Sequence, residues 1–92
     1  MFTFQNQPVN YIIDVRTKLE FLLGHVKGAI NLPVQSIAHE IVKRPEIARD
    51  AAIVLCCQSG HRAGQALQLL RDLGYTRMLN GGSQADVRAG LA

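Results

Sequence analysis

The sequence predicts an α/β fold in which helices cover both faces of a mostly parallel central sheet of about four or five strands, in three layers. Apolar runs of strand length alternate with segments of helical periodicity, which is typical of βαβ units. The run Ala52–Cys57 is continuously apolar, as expected of a central strand that is buried on both faces. The chain has 92 residues, 48% of them hydrophobic, so we expect residues 1–92 to form a single domain with one core.

The first elements are short. We expect an edge strand at Phe2–Phe4 and a clearer strand at Tyr11–Val15, where the apolar run is continuous. Thr17-Lys18-Leu19-Glu20 has the pattern of a capping box, with Thr17 as the N-cap and Glu20 reaching back to its backbone N–H. A short helix should therefore follow Thr17 and end at Gly24.

A second strand and helix precede the central strand. Ala29–Leu32 is a short apolar run closed by Pro33, and it predicts a strand. Apolar residues then recur at helical spacing until Pro45 interrupts the pattern. These residues are Ile37, Ile41 and Val42.

The segment after Cys57 predicts a loop, a helix, a strand and a last helix. Ala63, Ala66, Leu67 and Leu70 recur at helical spacing, and Gly74 is placed to end that helix. A short strand is expected around Arg77–Leu79. Beyond Gly81-Gly82, Ser83 can cap the last helix, because Asp86 stands three residues further on.

Composition excludes several classes of function. The formal charge is +3, but the basic residues are scattered, which argues against a nucleic-acid-binding surface. No apolar run is long enough to span a bilayer. The adjacent Cys56 and Cys57 cannot form a disulfide framework, which favours a reducing, cytoplasmic location, although a mature periplasmic form without its signal peptide would look the same. We expect a monomer that needs neither metal nor cofactor.

Cys57 is the strongest candidate for a functional residue. It ends the predicted central strand and stands directly before a helix, where ligands bind in parallel α/β sheets. The unpaired N–H groups of the loop and helix would stabilise a thiolate, and cysteines in such places reach pKa values of about 3.5–7.5. Gly60 suits a loop that needs a positive φ or a close backbone approach, and Arg62 adds a cation at the end of the loop.

Other interpretations of these residues remain open at this stage. A cysteine at the end of an apolar strand can be simply a small buried side chain. Cys56 fits that description, because successive side chains of a strand point to opposite faces. His61 can be either a solvated loop residue or a proton-transfer group.

Three motifs now occur in order along the chain. The first is Asp14-Val15-Arg16 with Glu20 and the segment from Gly24 to Pro33, the second is Cys57-Gln58-Ser59-Gly60-His61-Arg62-Ala63, and the third is Leu79-Asn80-Gly81-Gly82. In this combination the chain resembles the rhodanese-like family along nearly its whole length. The resemblance implies the rhodanese-like three-layer α/β/α fold and a sulfurtransferase activity.

The resemblance also implies roles for individual residues. Cys57 would be the nucleophile that accepts sulfur from thiosulfate or a related persulfide donor and passes it to a thiophilic acceptor, which is cyanide, a thiol or a sulfur-accepting protein. Arg62 would help to hold the anionic donor. The cradle for the persulfide would be the backbone N–H groups of Gln58, Ser59, Gly60, His61 and Arg62. The residues expected to hold strand ends and loops are Asp14, Arg16, Glu20 and His25.

The sequence departs from the family pattern in two places. The family often carries a Trp shortly after the Gly-Gly motif, whereas here Gly81-Gly82 is followed by Ser83-Gln84-Ala85 and the chain has no Trp. The first motif also begins as early as Asp14, so we expect the usual leading helix to be absent.

Three rival functions fit the sequence less well than sulfur transfer does. Phosphatases and arsenate reductases of the same fold have five residues between Cys and Arg, whereas this loop has four, from Gln58 to His61, and it lacks an acid for the leaving group. Inactive binding modules of the family commonly lose the cysteine, which this chain keeps. A redox sensor using a Cys56–Cys57 disulfide would need a strained ring.

Overall fold

A computed structural model describes all 92 residues and has the predicted three-layer α/β architecture. Four parallel strands form the central sheet in the order β4-β3-β5-β6. The strands are β1 (Phe2–Phe4), β2 (Gln7–Val9), β3 (Tyr11–Asp14), β4 (Ile30–Asn31), β5 (Ala52–Cys57) and β6 (Arg77–Ser83). The helices are α1 (Lys18–Leu22), α2 (Ile37–Glu40), which a 3₁₀ turn (Ile41–Lys43) extends, α3 (His61–Asp72) and α4 (Gln84–Gly90). None of them is long and apolar enough to cross a membrane.

The strand β5 is central, as predicted, and it divides the core into two layers. Alternate side chains of the strand point to opposite faces of the sheet. Leu55 and Cys57 belong to the larger apolar cluster, which α2 and α3 cover. Val54 and Cys56 belong to the smaller cluster, together with Val87 of α4. Both faces of β5 are therefore buried, which accounts for the continuously apolar sequence of this strand.

The prediction for the first strand was wrong in its pairing. Phe2–Phe4 does form a strand, but it pairs antiparallel with β2 in a separate hairpin and not with the central sheet. Gln5 and Asn6 form the two-residue turn, both with positive φ (49° and 65°), which matches the twist of a tight hairpin. The hairpin places the buried Phe4 against the smaller core cluster. It thus covers part of the sheet face on which the smaller core cluster lies.

The capping boxes were predicted correctly at two helices. The Thr17 side chain accepts a hydrogen bond from the Glu20 backbone N–H, and the Glu20 side chain accepts one from the Thr17 backbone N–H, at the start of α1. Ser83 and Asp86 make the same reciprocal bonds at the start of α4. Each box satisfies N–H groups that the first turn of a helix leaves unpaired.

The last helix packs without the family tryptophan. Val87 is its buried contact with the sheet. A Cβ atom at Gly81 would lie 2.7 Å from both Val54 and Val87 side chains, so only glycine lets β6 and α4 approach this closely. Gly81 and Val87 therefore form the close contact between β6 and α4.

Candidate active site

The site lies at the carboxyl end of β5, where the chain turns into α3. Cys57 is the last residue of β5 and is only 1% exposed. Its Sγ accepts hydrogen bonds from the backbone N–H of Gly60 at 3.0 Å and from that of Ala63 at 3.4 Å. Ala63 is in the first turn of α3, whose N–H groups have no partner within the helix. The sulfur therefore lies against a loop and helix terminus that present donors to it.

These donors decide the protonation of Cys57. Burial by itself raises the pKa of the thiol, because it disfavours the charged form. The nearby backbone N–H groups of Ala63, Ser59, Gly60 and Arg62 oppose this effect, and together they lower the pKa of Cys57 below its ordinary value. The loop thus stabilises the thiolate relative to that of an ordinary cysteine, in a site that is largely screened from water.

Cys56, by contrast, is an ordinary core residue. It is completely buried in the cluster on the opposite face of the sheet. Burial raises the pKa of its thiol to about 12. Because the two cysteine side chains point to opposite faces, a disulfide between them would require β5 to break its pairing.

Gly60 shapes the loop. Its φ of 93° is in the left-handed region, and a Cβ atom there would lie 3.3 Å from Cα of Gly82. The Gly60 carbonyl accepts hydrogen bonds from the Gly64 N–H at 3.0 Å and from Asn80 Nδ2 at 2.8 Å. Sequence reasoning missed this support from Asn80.

A β-bulge places Asn80 beside the loop. Leu55 pairs with Asn80 and Cys57 with Ser83, so β6 carries one extra residue across this interval. Asn80 Oδ1 accepts a hydrogen bond from the Gly82 N–H at 3.0 Å within the bulge. The segment Asn80-Gly81-Gly82 therefore packs against the loop at Gly60. The sequence signal for this contact was an Asn directly before two glycines.

Arg62 is held by Glu20 across the mouth of the loop. Arg62 Nη1 and Nη2 donate to the two carboxylate oxygens at 2.6 and 3.0 Å. Arg62 holds the pKa of Glu20 down at about 2, with help from the Thr17 hydrogen bonds. The guanidinium is therefore part of an ion pair, and its positive charge is compensated.

The remaining motif residues lie away from Sγ and brace the strand ends. Asp14 and Arg16 form a buried ion pair, with Arg16 Nη2 2.8 Å from Asp14 Oδ2 and 2.6 Å from the Gly24 carbonyl oxygen. His25 stacks on Phe21, and its Nδ1 lies 2.7 Å from the Phe21 carbonyl oxygen. These contacts tie β3 and α1 to the segment that leads into β4.

Of the five backbone N–H groups predicted to form the persulfide cradle, that of Gly60 bonds to Sγ itself. Gln58, Ser59 and His61 are exposed, and the Gln58 N–H makes no hydrogen bond to Sγ. Ala63, which the sequence had assigned only to the apolar face of the helix, contributes its N–H. Helix α3 begins at His61, so the Ala63 N–H lies in its first turn and has no partner within the helix. No group of three or more His, Cys, Asp or Glu side chains is arranged to hold a metal ion.

Comparisons with known proteins agree with this architecture. The family model of the rhodanese-like domain matches residues 3–89. The thiosulfate sulfurtransferase PspE of Escherichia coli (strain K12) is 35% identical over 75 residues, which cover 82% of this chain and 71% of that protein. The human thiosulfate:glutathione sulfurtransferase is 34% identical over 80 residues, covering 75% of this chain and 70% of that protein.

A solved structure is similar as well. A structure described as a rhodanese with anions from E. coli superposes with a TM-score of 0.75 at 32% identity, covering 84% of this chain and 89% of that one. The family model spans nearly the whole chain, and the relatives are matched over most of their own length. The chain is a sulfurtransferase-type protein and belongs to the rhodanese-like domain family.

Proposed function

We propose that the protein transfers sulfane sulfur from thiosulfate or a related persulfide donor to a thiophilic acceptor, and that Cys57 carries the sulfur as a persulfide. One observation carries the proposal: the Cys57 Sγ accepts hydrogen bonds from two backbone N–H groups at the end of the central strand. Fixed amide donors stabilise a sulfur anion without having to reorganise during the reaction. The thiosulfate sulfurtransferases among the relatives support the same chemistry.

The first half-reaction loads the cysteine. The Cys57 thiolate attacks the outer sulfur of thiosulfate, a new S–S bond forms, and the S–S bond of the donor breaks with release of sulfite. The thiolate and the dianion become a persulfide anion and a sulfite dianion, so charge and atoms balance. The terminal sulfur anion would then occupy the space bounded by the loop amides.

The second half-reaction unloads it. A thiolate or cyanide attacks the terminal sulfur, which leaves with the acceptor as a persulfide or thiocyanate, and the Cys57 thiolate is restored. No external oxidant or reductant is needed. The free, unpaired cysteines fit a reducing compartment such as the cytoplasm, where thiols, including those of sulfur-accepting proteins, are abundant.

The size of the loop supports sulfur transfer over phosphatase chemistry. With four residues between Cys57 and Arg62, donors from Gly60 and Ala63 lie within 3.4 Å of Sγ itself. A tetrahedral oxyanion bound to Sγ would need these amides to retreat. The nearest carboxylate on the loop's border, Glu20, is held ionised by Arg62 and is therefore a poor acid for a leaving group.

Turnover assays with cysteine variants test the proposal. The wild-type protein should release sulfite from thiosulfate when cyanide or a thiol is supplied, and Cys57→Ser should release none. Cys56→Ala is the matched control, because it removes the neighbouring sulfur from the opposite face of the sheet. That variant should keep its activity and lose about 1 kcal/mol of stability from the small cavity. Equal loss of activity in both variants would refute the assignment of Cys57 as the sulfur carrier.

A further inference from the structure

The Glu20–Arg62 pair is the charged feature that borders the catalytic loop. Both side chains are partly exposed, at 29% and 27%. The pair is bidentate, a geometry that fixes the plane of the guanidinium. Glu20 also accepts hydrogen bonds from the Thr17 backbone N–H and from Thr17 Oγ1, both at 3.1 Å. The carboxylate is thus held in place by α1 as well as by the arginine.

Arg62 interacts electrostatically with Cys57, and the Glu20 carboxylate compensates the positive charge of Arg62. The pKa of Arg62 is raised, chiefly by its hydrogen bonds to Glu20 and to a smaller extent by the charge of Cys57. The stabilisation of the Cys57 thiolate, in turn, comes from neutral backbone amides. Arg16, the arginine of the first motif, is already paired with Asp14. An incoming anion therefore meets amide dipoles and a neutral ion pair at the loop.

We propose that this ion pair selects sulfur donors by their charge. By compensating Arg62, Glu20 withholds from a dianion such as thiosulfate the attraction that an unpaired guanidinium would give. Donors of lower charge, such as monoanionic persulfides and thiosulfonates, lose less by this compensation. Glu20 is on this account a specificity-determining residue, and the inference rests on the sulfur-transfer function proposed above.

Glu20→Gln tests the proposal, because glutamine keeps the shape and the capping capacity of the side chain while removing its charge. The measurement is the second-order rate constant for persulfide formation with thiosulfate, a dianion, and with benzenethiosulfonate, a monoanion. Since partly exposed charges change such encounters by about twofold per unit of donor charge, we expect about a twofold gain with the monoanion and about a fourfold gain with the dianion. Both gains should shrink at high salt.

Two further variants make the result specific. Glu46→Gln changes the net charge by the same amount. Glu46 pairs with Arg44, and its backbone carbonyl accepts a hydrogen bond from Tyr11 at the amino end of β3. Glu46 therefore lies at the end of the strands opposite to Cys57. The substitution should alter neither rate constant. Arg62→Gln leaves Glu20 uncompensated and should give losses of about the same size, twofold and fourfold. If Glu20→Gln does not fold, the rate constants of Arg62→Gln test the charge selection instead.

An alkylation assay separates the inference from the proposed function. Cys57 is alkylated by iodoacetate, an anion, and by iodoacetamide, which is neutral, and the ratio of the two rate constants is measured. Both reactions require the Cys57 thiolate, but neither requires sulfur transfer. Glu20→Gln should raise this ratio about twofold and Arg62→Gln should lower it. If the wild type accepts sulfur from neither donor, the proposed function fails while the ratio still tests the pair. A ratio that is the same in the wild type and in both variants would overturn charge selection.

Discussion

Two adjacent cysteines behave differently because a strand directs them to opposite faces of one sheet. Cys57 ends β5 next to backbone N–H groups that bond to its sulfur, whereas Cys56 packs into the smaller apolar cluster on the other side of the sheet. The same burial that raises the pKa of Cys56 to about 12 also acts on Cys57. Hydrogen bonds from the loop reverse its outcome. Reactivity is therefore assigned by the direction of the side chain and not by cysteine chemistry alone.

The lowered pKa of Cys57 predicts how its reactivity depends on pH. Only the thiolate is nucleophilic, so the rate of alkylation by iodoacetamide rises with pH as the thiol ionises. Because the folded protein lowers this pKa, the half-maximal rate should fall at a lower pH than in an unfolded peptide of the same loop sequence. Cys56 does not contribute in this pH range. A midpoint equal to or above that of the peptide would show that the amides do not stabilise the thiolate.

The loop and its supports are the element on which the site depends. Gly60 takes a positive φ, Asn80 binds its carbonyl from the bulge in β6, and Arg62 is tied to α1 through Glu20. Three elements thus converge on a loop of a few residues. This convergence fixes where the N–H groups point.

Inserting one glycine between Ser59 and Gly60 should weaken sulfur transfer. The wider loop would move the Gly60 N–H away from Sγ, and losing one preorganised donor to a developing anion typically costs about a hundredfold in rate. The variant should also gain measurable binding of phosphate or arsenate. A control insertion between Gln5 and Asn6, in the hairpin turn, should leave the kinetics of persulfide formation unchanged. Unaltered thiosulfate kinetics in the loop variant would show that loop size does not select the substrate.

Among the elements, the sequence predicted contacts between neighbouring residues but not contacts between elements that are far apart in the chain. The capping boxes at Thr17 and Ser83 could be predicted, because the residues that form them are three apart. The Asn80–Gly60 bond spans twenty residues and depends on a bulge in strand pairing, and the Glu20–Arg62 pair joins two elements. Neither leaves a periodic signal. The β1–β2 hairpin was missed because Pro8 conceals the second strand, although proline is tolerated on an edge.

The whole molecule could be predicted more fully than its contacts. The alternation of apolar runs and helical patterns, with one run apolar throughout, led to the parallel sheet and to the central position of β5. Those features follow from burial of the strand on both faces, which a continuous apolar run in the sequence indicates directly. The pairing of individual side chains follows from close packing, which a single sequence does not record. The fold and the position of Cys57 at the end of the central strand were therefore accessible from the sequence, while the ion pair at the loop was not.

Intact-mass measurement of the protein after incubation with thiosulfate tests the central claim most directly. The account predicts a mass increase of one sulfur atom that peptide mapping places on Cys57, that cyanide or a thiol removes, and that Cys57→Ser never acquires. Cys56→Ala should acquire it as the wild type does. Failure of the folded protein to gain this sulfur, or its appearance on Cys56, would contradict the account.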